Sequence, residues 1–268
     1  MEFDANAVRK KCNGMLSPEI YKRVYDSAKN APNGSFVEVG AAHGAATVAL
    51  ASALSSLDDG GRVYSFEKIL GGSREQFGDF EENKQILTGN IGSFGLEDRV
   101  QFAFGDVAKD HAIVPEKEPI SLLMLDADGR LDRDFALFFD RLESNAVIII
   151  DDVSPDVRVK PLKKAFAVHD LRIDQKHRIT NLLIDLFKRR GLIDGEVHES
   201  TFFGHKLPGA QYADAAHEVI ENYHQLVFAD ARYEAVPGGV IGIVKRSIAM
   251  VLPDSAVDRL RQSYYGKT

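Results

Sequence analysis

Five apolar, β-rich runs separated by segments of helical character fill the first 150 residues, and this alternation restricts the fold more than any other feature. The runs are Phe36–Val39, Arg62–Phe66, Val100–Phe104, Ile120–Leu125 and Ala146–Ile150. Between them, Gly44–Leu57 is alanine-rich, and Asp132–Leu142 spaces Phe135, Phe138, Phe139 and Leu142 to bury one helical stripe. Strand and helix in alternation imply a parallel sheet with right-handed crossovers. Ile148–Ile150 lacks polar alternation, as a central strand covered on both faces should. The second half is less regular. Ile179–Arg190 and Ala210–Phe228 read as amphipathic helices, the latter with Ala216, Val219, Ile220, Tyr223 and Val227 along one side. Arg232–Val236, the turn Pro237-Gly238-Gly239 and Val240–Lys245 form a hairpin signal, and Ser247–Thr268 reads as a helical tail.

Length agrees with one large domain, because 268 residues fit a decorated α/β unit. We expect a single domain over 1–246, a pocket-forming insertion at about 153–229, and a tail at 247–268. No apolar run approaches the ~20 residues that cross a bilayer, and the polar N-terminus is unlike a signal peptide. A lone cysteine, Cys12, precludes an intramolecular disulfide or a cysteine-based zinc cluster. A soluble, cytoplasmic protein that does not engage membranes is the simplest expectation. The net charge of −7 disfavours a nucleic-acid partner, since phosphate backbones select basic surfaces.

In open parallel sheets ligands gather at the carboxyl ends of strands, so the residues after each run matter most. After the first comes Glu38-Val39-Gly40-Ala41-Ala42-His43-Gly44. Gly40 and Gly44 bracket a turn of small residues that lets a ligand approach amides at a helix N-terminus. The middle glycine of a dinucleotide fingerprint is missing, which argues against a pyrophosphate. Glu67 ends the second run, where a carboxylate can accept both hydroxyls of a ribose, and Asp106 follows the third, within reach of an adenine amino group. Asp126 and Asp128 close the fourth, and Asp151 and Asp152 the fifth. Four acids at neighbouring strand ends repel one another unless a cation sits among them, and oxygen-only ligands suit a hard ion such as Mg²⁺ or Ca²⁺. Helix capping accounts for one or two of these acids but not for four.

These motifs resemble the metal-dependent class I methyltransferases that include the catechol and caffeoyl-CoA O-methyltransferases. The resemblance spans about Leu16 to Lys245. Leu16-Ser17-Pro18-Glu19 is similar to the family's stretch before the core, Val37–Thr47 to its S-adenosylmethionine loop, and Arg232–Lys245 to its closing hairpin. It implies a Rossmann-like fold: a mostly parallel seven-stranded sheet with helices on both faces and a C-terminal antiparallel hairpin. It also implies that Glu38, Gly40, His43 and Gly44 surround the methionine part of the cofactor, that Glu67 holds the ribose, and that Asp106 lies near the adenine. Asp126, Asp151 and Asp152 occupy metal-ligand positions, for Mg²⁺ above all. In the catechol and caffeoyl-CoA branches the last ligand is usually Asn and a Lys follows the first ligand by three, where this chain has Asp152 and Gly129. The D-x-D and D-D pairs look instead like the macrocin and novobiocin sugar O-methyltransferases, in which Asp128 would be the general base.

The expected activity is therefore O-methylation of a hydroxylated small molecule, a sugar or a phenolic natural product, with a divalent metal assisting. A homodimer is expected at the level of the family. Alternatives are a metal-independent N- or O-methyltransferase, a nicotinamide-dependent oxidoreductase, and a non-catalytic nucleoside-binding module. The cluster Arg158, Lys160, Lys163, Lys164, Arg172, Lys176 and Arg178 suits an anionic acceptor, although a solvated face explains it more simply. His217, Glu221 and His224 share helical spacing but lie opposite that helix's apolar stripe, and Phe202, Phe203 and Tyr212 are read as core before pocket.

Overall fold

The computed structural model describes residues 3–57, 60–68, 80–126, 130–155, 158–161, 171–174 and 176–222. The chain begins with two helices, α1 (Ala5–Lys11) and α2 (Pro18–Lys29), each started by a side-chain cap. Asp4 accepts from the amides of Asn6 and Ala7, and Ser17 accepts from Ile20 ahead of a proline at the first helical turn. Then β1 (Ser35–Val39), α3 (Ala45–Ser56), β2 (Val63–Phe66), α4 (Phe80–Gly92), β3 (Val100–Ala103), the short α5 (Val107–Asp110), β4 (Ile120–Leu125), α6 (Leu131–Phe138) and β5 (Leu142–Ile150) alternate as the sequence requires. A two-stranded ribbon follows, β6 (Arg158–Pro161) with β7 (Leu171–Asp174), and then α7 (Lys176–Arg189), β8 (Ile193–His198) and β9 (Thr201–Lys206).

Among the described residues, seven strands form one sheet in the order β3-β2-β1-β4-β5-β9-β8. The first five are parallel, while β9 runs antiparallel to β5 and β8 antiparallel to β9. The order reverses between β1 and β4, which opens a crevice at the carboxyl ends of those strands. Both faces of the sheet are apolar because alternate residues serve different layers. Phe36, Leu122, Met124 and Ile149 pack with α1, α2 and α3, whereas Val37, Leu123, Ile148 and Ile150 pack with α6 and α7. Helix α3 is buried on nearly every side, being held between the sheet and the N-terminal helices, so its alanine-rich sequence needs no polar face. On the other layer Phe135 stacks on Phe187 at 4.6 Å, and Tyr212 meets both edge-on.

Among the described residues the antiparallel pair of the sheet is Ile193–Lys206, upstream of Arg232–Lys245, which lies outside the described residues together with the tail. Strands β8 and β9 fall within the segment 153–229. Strand β8 (Ile-Asp-Gly-Glu-Val-His) is a largely exposed edge, and its turn is made by Glu199 at φ 54° without glycine or proline, so it carries no hairpin signature. Gly195 and Gly204 face each other in this pair with the Phe202 ring over them, and a Cβ on Gly195 would come within 2.3 Å of a backbone oxygen. The segment expected to be helical over Asp132–Leu142 is α-helical to Phe138 and continues as a 3-10 turn over Phe139–Arg141 before Leu142 begins β5, with Asn145 at φ 63° ahead of the run Ala146–Ile150. No described helix is long and apolar enough to cross a membrane.

Candidate active site

The turn after β1 is built from unusual backbone conformations. Gly40, Ala42 and Gly44 have φ of 98°, 49° and 87°, in the region that strongly favours glycine. A Cβ on Gly44 would also stand 2.7 Å from the Leu87 side chain of α4. The strained Ala42 is held by its amide, which donates to Glu67 Oε2 at 2.6 Å. Thus the carboxylate expected to receive a ribose also fixes the loop that would receive the methionine. His43 ties the same turn to α4: its Nε2 lies 3.3 Å from Asn83 Oδ1, and Asn90 donates to its carbonyl at 2.8 Å.

Glu38 lies beneath the turn. It is fully buried on β1 and does not line the cavity above the loop. One carboxyl oxygen, Oε2, accepts from Thr47 and Ser65 at 2.6 Å each, while Oε1 meets no donor among the described residues. Burial pushes the acid up to about 7, with the two hydroxyls opposing and Glu67 adding to the rise. Glu38 therefore supports the turn from below. Asp106 caps α5 through the Ala108 amide at 3.0 Å, with Lys68 at 3.5 Å; the amide first, then Lys68, keeps its carboxyl below the ordinary range.

A cavity of about 160 Å³ lies above the turn. Its walls are the N-terminal segment Cys12 to Leu16, Tyr21 of α2, the turn residues Gly40 to His43 with Ala45 and Ala46, and Asp126. The Tyr21 hydroxyl accepts from the Leu16 amide at 3.3 Å, and burial raises the phenol to about 12, so it stays protonated. Nothing in the sequence marked Tyr21, because it reads as one more apolar position of an amphipathic helix.

Asp126 joins this cavity to the acid cluster. Its amide donates to Val39 O, and that of Asp151 donates to Leu125 O, so both acids continue the register of β4 and β5 past the strand ends. Carboxylate oxygens of Asp126, Asp151 and Asp152 all lie within 4.8 Å of one another. Thr201, at the start of β9, donates to Asp151 Oδ1 at 2.6 Å, and burial is the main cause raising that acid. Asp152 sits at φ 60° and pairs with Lys176, while His177 Nδ1 is 3.4 Å from its other oxygen. Asp128, the expected base, lies outside the described residues.

The cluster's immediate supports, Thr201, Lys176 and His177, come from elements that meet it only in three dimensions. Lys176 had been visible only as one member of a basic run. Of the remaining aromatic and histidine candidates, the described ones are structural or superficial, and His224 lies outside the described residues. Phe202 and Tyr212 belong to the main core, and Phe203 packs on the opposite layer. His217 and Glu221 are exposed and 3.6 Å apart on the helical segment 213–222, and Ile220, assigned to the buried stripe, is 64% exposed.

Residues 37–153 match the family model described as a methyltransferase domain. No curated protein sequence matches the chain. Among solved structures, an O-methyltransferase from Bacillus cereus in complex with SAH is similar at 18% identity, covering 77% of this chain and 91% of that one, TM-score 0.52. TomG from Streptomyces achromogenes, an O-methyltransferase involved in tomaymycin synthesis and solved with SAM, is similar at 14% identity, 78% and 91% coverage, TM-score 0.54. The O-methyltransferase NovP is similar at 14% identity, 72% and 81% coverage, TM-score 0.51. These likenesses establish the fold, and the family match covers the strands that carry the turn, Glu67 and the three acids. Residues 37–153 thus match a methyltransferase-domain model, and the described residues share the Rossmann-like fold of these O-methyltransferases.

Proposed function

We propose that the protein transfers the methyl group of S-adenosylmethionine to a hydroxyl of a small molecule, with a divalent metal, Mg²⁺ by preference, at Asp126, Asp151 and Asp152. The observation that carries this reading is the double membership of Asp126, which lines the cavity over the glycine turn and belongs to the acid cluster. A cofactor above Gly40–His43 and an acceptor oxygen beside the acids would then be neighbours. The donor set fits a hard cation, being three carboxylates and no sulfur or nitrogen ligand, with a lysine ammonium already drawn to one of them. When bound, such an ion would lower the pKa of a chelated hydroxyl.

The chain's own groups supply the rest. Glu67 would accept the ribose hydroxyls while holding Ala42, and the turn would present its amides to the methionine end. The acceptor oxygen forms a bond to the methyl carbon as the carbon–sulfur bond breaks, and the hydroxyl proton passes to a carboxylate, for which Asp128 is the sequence candidate. Positioning contributes most, because the sulfonium is already an activated electrophile.

Calorimetric titration with S-adenosylhomocysteine, with and without Mg²⁺, tests the cofactor. Asp126→Ala tests the metal: metal-dependent turnover of a hydroxylated acceptor should vanish while S-adenosylhomocysteine still binds. Full activity in that variant would falsify the metal assignment, and absence of S-adenosylhomocysteine binding in the wild type would remove the cofactor.

A further inference from the structure

We propose that Lys176 is a resident counter-cation of the acid cluster, competing with divalent metal for Asp152 and so setting the site's metal affinity. The inference rests on the metal reading above and concerns what that reading leaves unexplained: how three carboxylates within 4.8 Å coexist before any ion arrives.

The three acids are not held alike. Asp151 is 7% exposed and is oriented by a neutral donor, the Thr201 hydroxyl. Asp152 is in direct contact with a full positive charge: the Lys176 ammonium meets its Oδ2, and His177 approaches its Oδ1. Both partners of the lysine pair are about one-fifth exposed, so solvent screens this attraction only in part.

Helix α7 places Lys176 there against its own electrostatic preference. Lys176 is the first residue of the helix, and the first turn holds Lys176, His177 and Arg178 with no acid. Cations at a helix N-terminus face the positive end of the peptide dipoles. The opposing attraction comes from outside the helix, and for Lys176 it is Asp152. Deeper along the helix, Ile179, Leu183 and Phe187 anchor it in the core, so the base of the lysine stem is fixed. Its four-carbon stem nevertheless lets the ammonium withdraw when a stronger cation claims the carboxylate. The cluster thus carries a built-in monovalent occupant. A divalent ion must displace it from Asp152 to gain its third ligand.

The test is Mn²⁺ titration of the full chain, wild type against Lys176→Met and Lys176→Arg. Methionine keeps most of the stem and removes the charge, whereas arginine keeps the charge. Lys176→Met should bind Mn²⁺ roughly three- to tenfold more tightly, the measure of one partly screened ion pair, and Lys176→Arg should stay near wild type. The metal-free Lys176→Met protein should also melt at a lower temperature and gain more from Mn²⁺ than the wild type does. If the wild type binds Mn²⁺ and Lys176→Met binds it equally or more weakly, the competition is refuted and the metal reading stands. If no form binds Mn²⁺ while S-adenosylhomocysteine binding is intact, both fall together. Should Lys176→Met fail to fold, Lys176→Gln carries the same comparison.

Discussion

At the end of β1, Glu38 is wholly enclosed and its carboxyl accepts from the hydroxyls of Thr47 and Ser65, whereas after β5, Asp152 meets a lysine ammonium and a histidine ring. The same sheet edge therefore accommodates acids by two physical routes. Glu38 is fully buried, and burial pushes its carboxyl up to about 7, so that it holds a proton. Asp152 lies where the crossover helix begins, and charge is offset by charge. A site on the first plan is rigid and insensitive to ions, which suits a turn that must keep its shape under a cofactor. A site on the second can exchange its cation, which suits the acceptor side of a transfer reaction.

Three changes break or sharpen this contrast. The largest effect belongs to Glu38. Folding raises its carboxyl from 4.5 to about 7, so between those values the folded chain holds a proton that the unfolded chain has lost. Its contribution to stability is greatest below pH 4.5 and falls as the pH climbs through 7, by up to ~3 kcal/mol at ~1.4 kcal/mol per unit. Glu38→Gln should remove this slope from urea denaturation curves taken between pH 5 and 8. An unchanged slope would mean that Glu38 is already ionised in the fold.

The next effect separates the cofactor end from the acid end. Glu67→Ala removes the acceptor of the Ala42 amide and the proposed ribose acceptor, so S-adenosylhomocysteine should bind about 10- to 100-fold more weakly, as expected for a charged hydrogen bond worth ~1.5–3 kcal/mol. Mn²⁺ affinity should not move. If both affinities dropped together, the two ends would be one mechanical unit.

The smallest effect tests the neutral support of Asp151. Thr201→Val keeps the shape of the buried side chain and deletes the hydroxyl that donates to Asp151 Oδ1. Mn²⁺ affinity should fall about tenfold, the lower end for a lost outer-shell partner, and Thr201→Ser should restore it. Equal affinity in all three forms would show that Asp151 is positioned by its backbone alone, through the Asp151 amide on Leu125.

Much of this molecule was legible in one dimension. Apolar runs such as Ile120–Leu125 and Ile148–Ile150 are strands because they are buried on both faces, and the order of strands and helices admits few other sheets. Gly40 and Gly44 announced a turn that needs positive φ, and the acids of Asp126, Asp151 and Asp152 stood out because they follow apolar runs directly. The edge pair β8–β9 was not legible, since an exposed edge needs little hydrophobic pattern and Glu199 turns without glycine.

The sequence by itself determined the layered α/β architecture and the chemical types gathered at the strand ends, because periodicity and strand-end position are local properties. Only the tertiary structure decided which of those groups act together. It buried Glu38 beneath the turn, joined Asp126 to the cavity, and brought Thr201 and Lys176 from distant elements onto Asp151 and Asp152. Burial and pairing depend on neighbours supplied by chain crossings, and the spacing of residues along a strand carries no record of them.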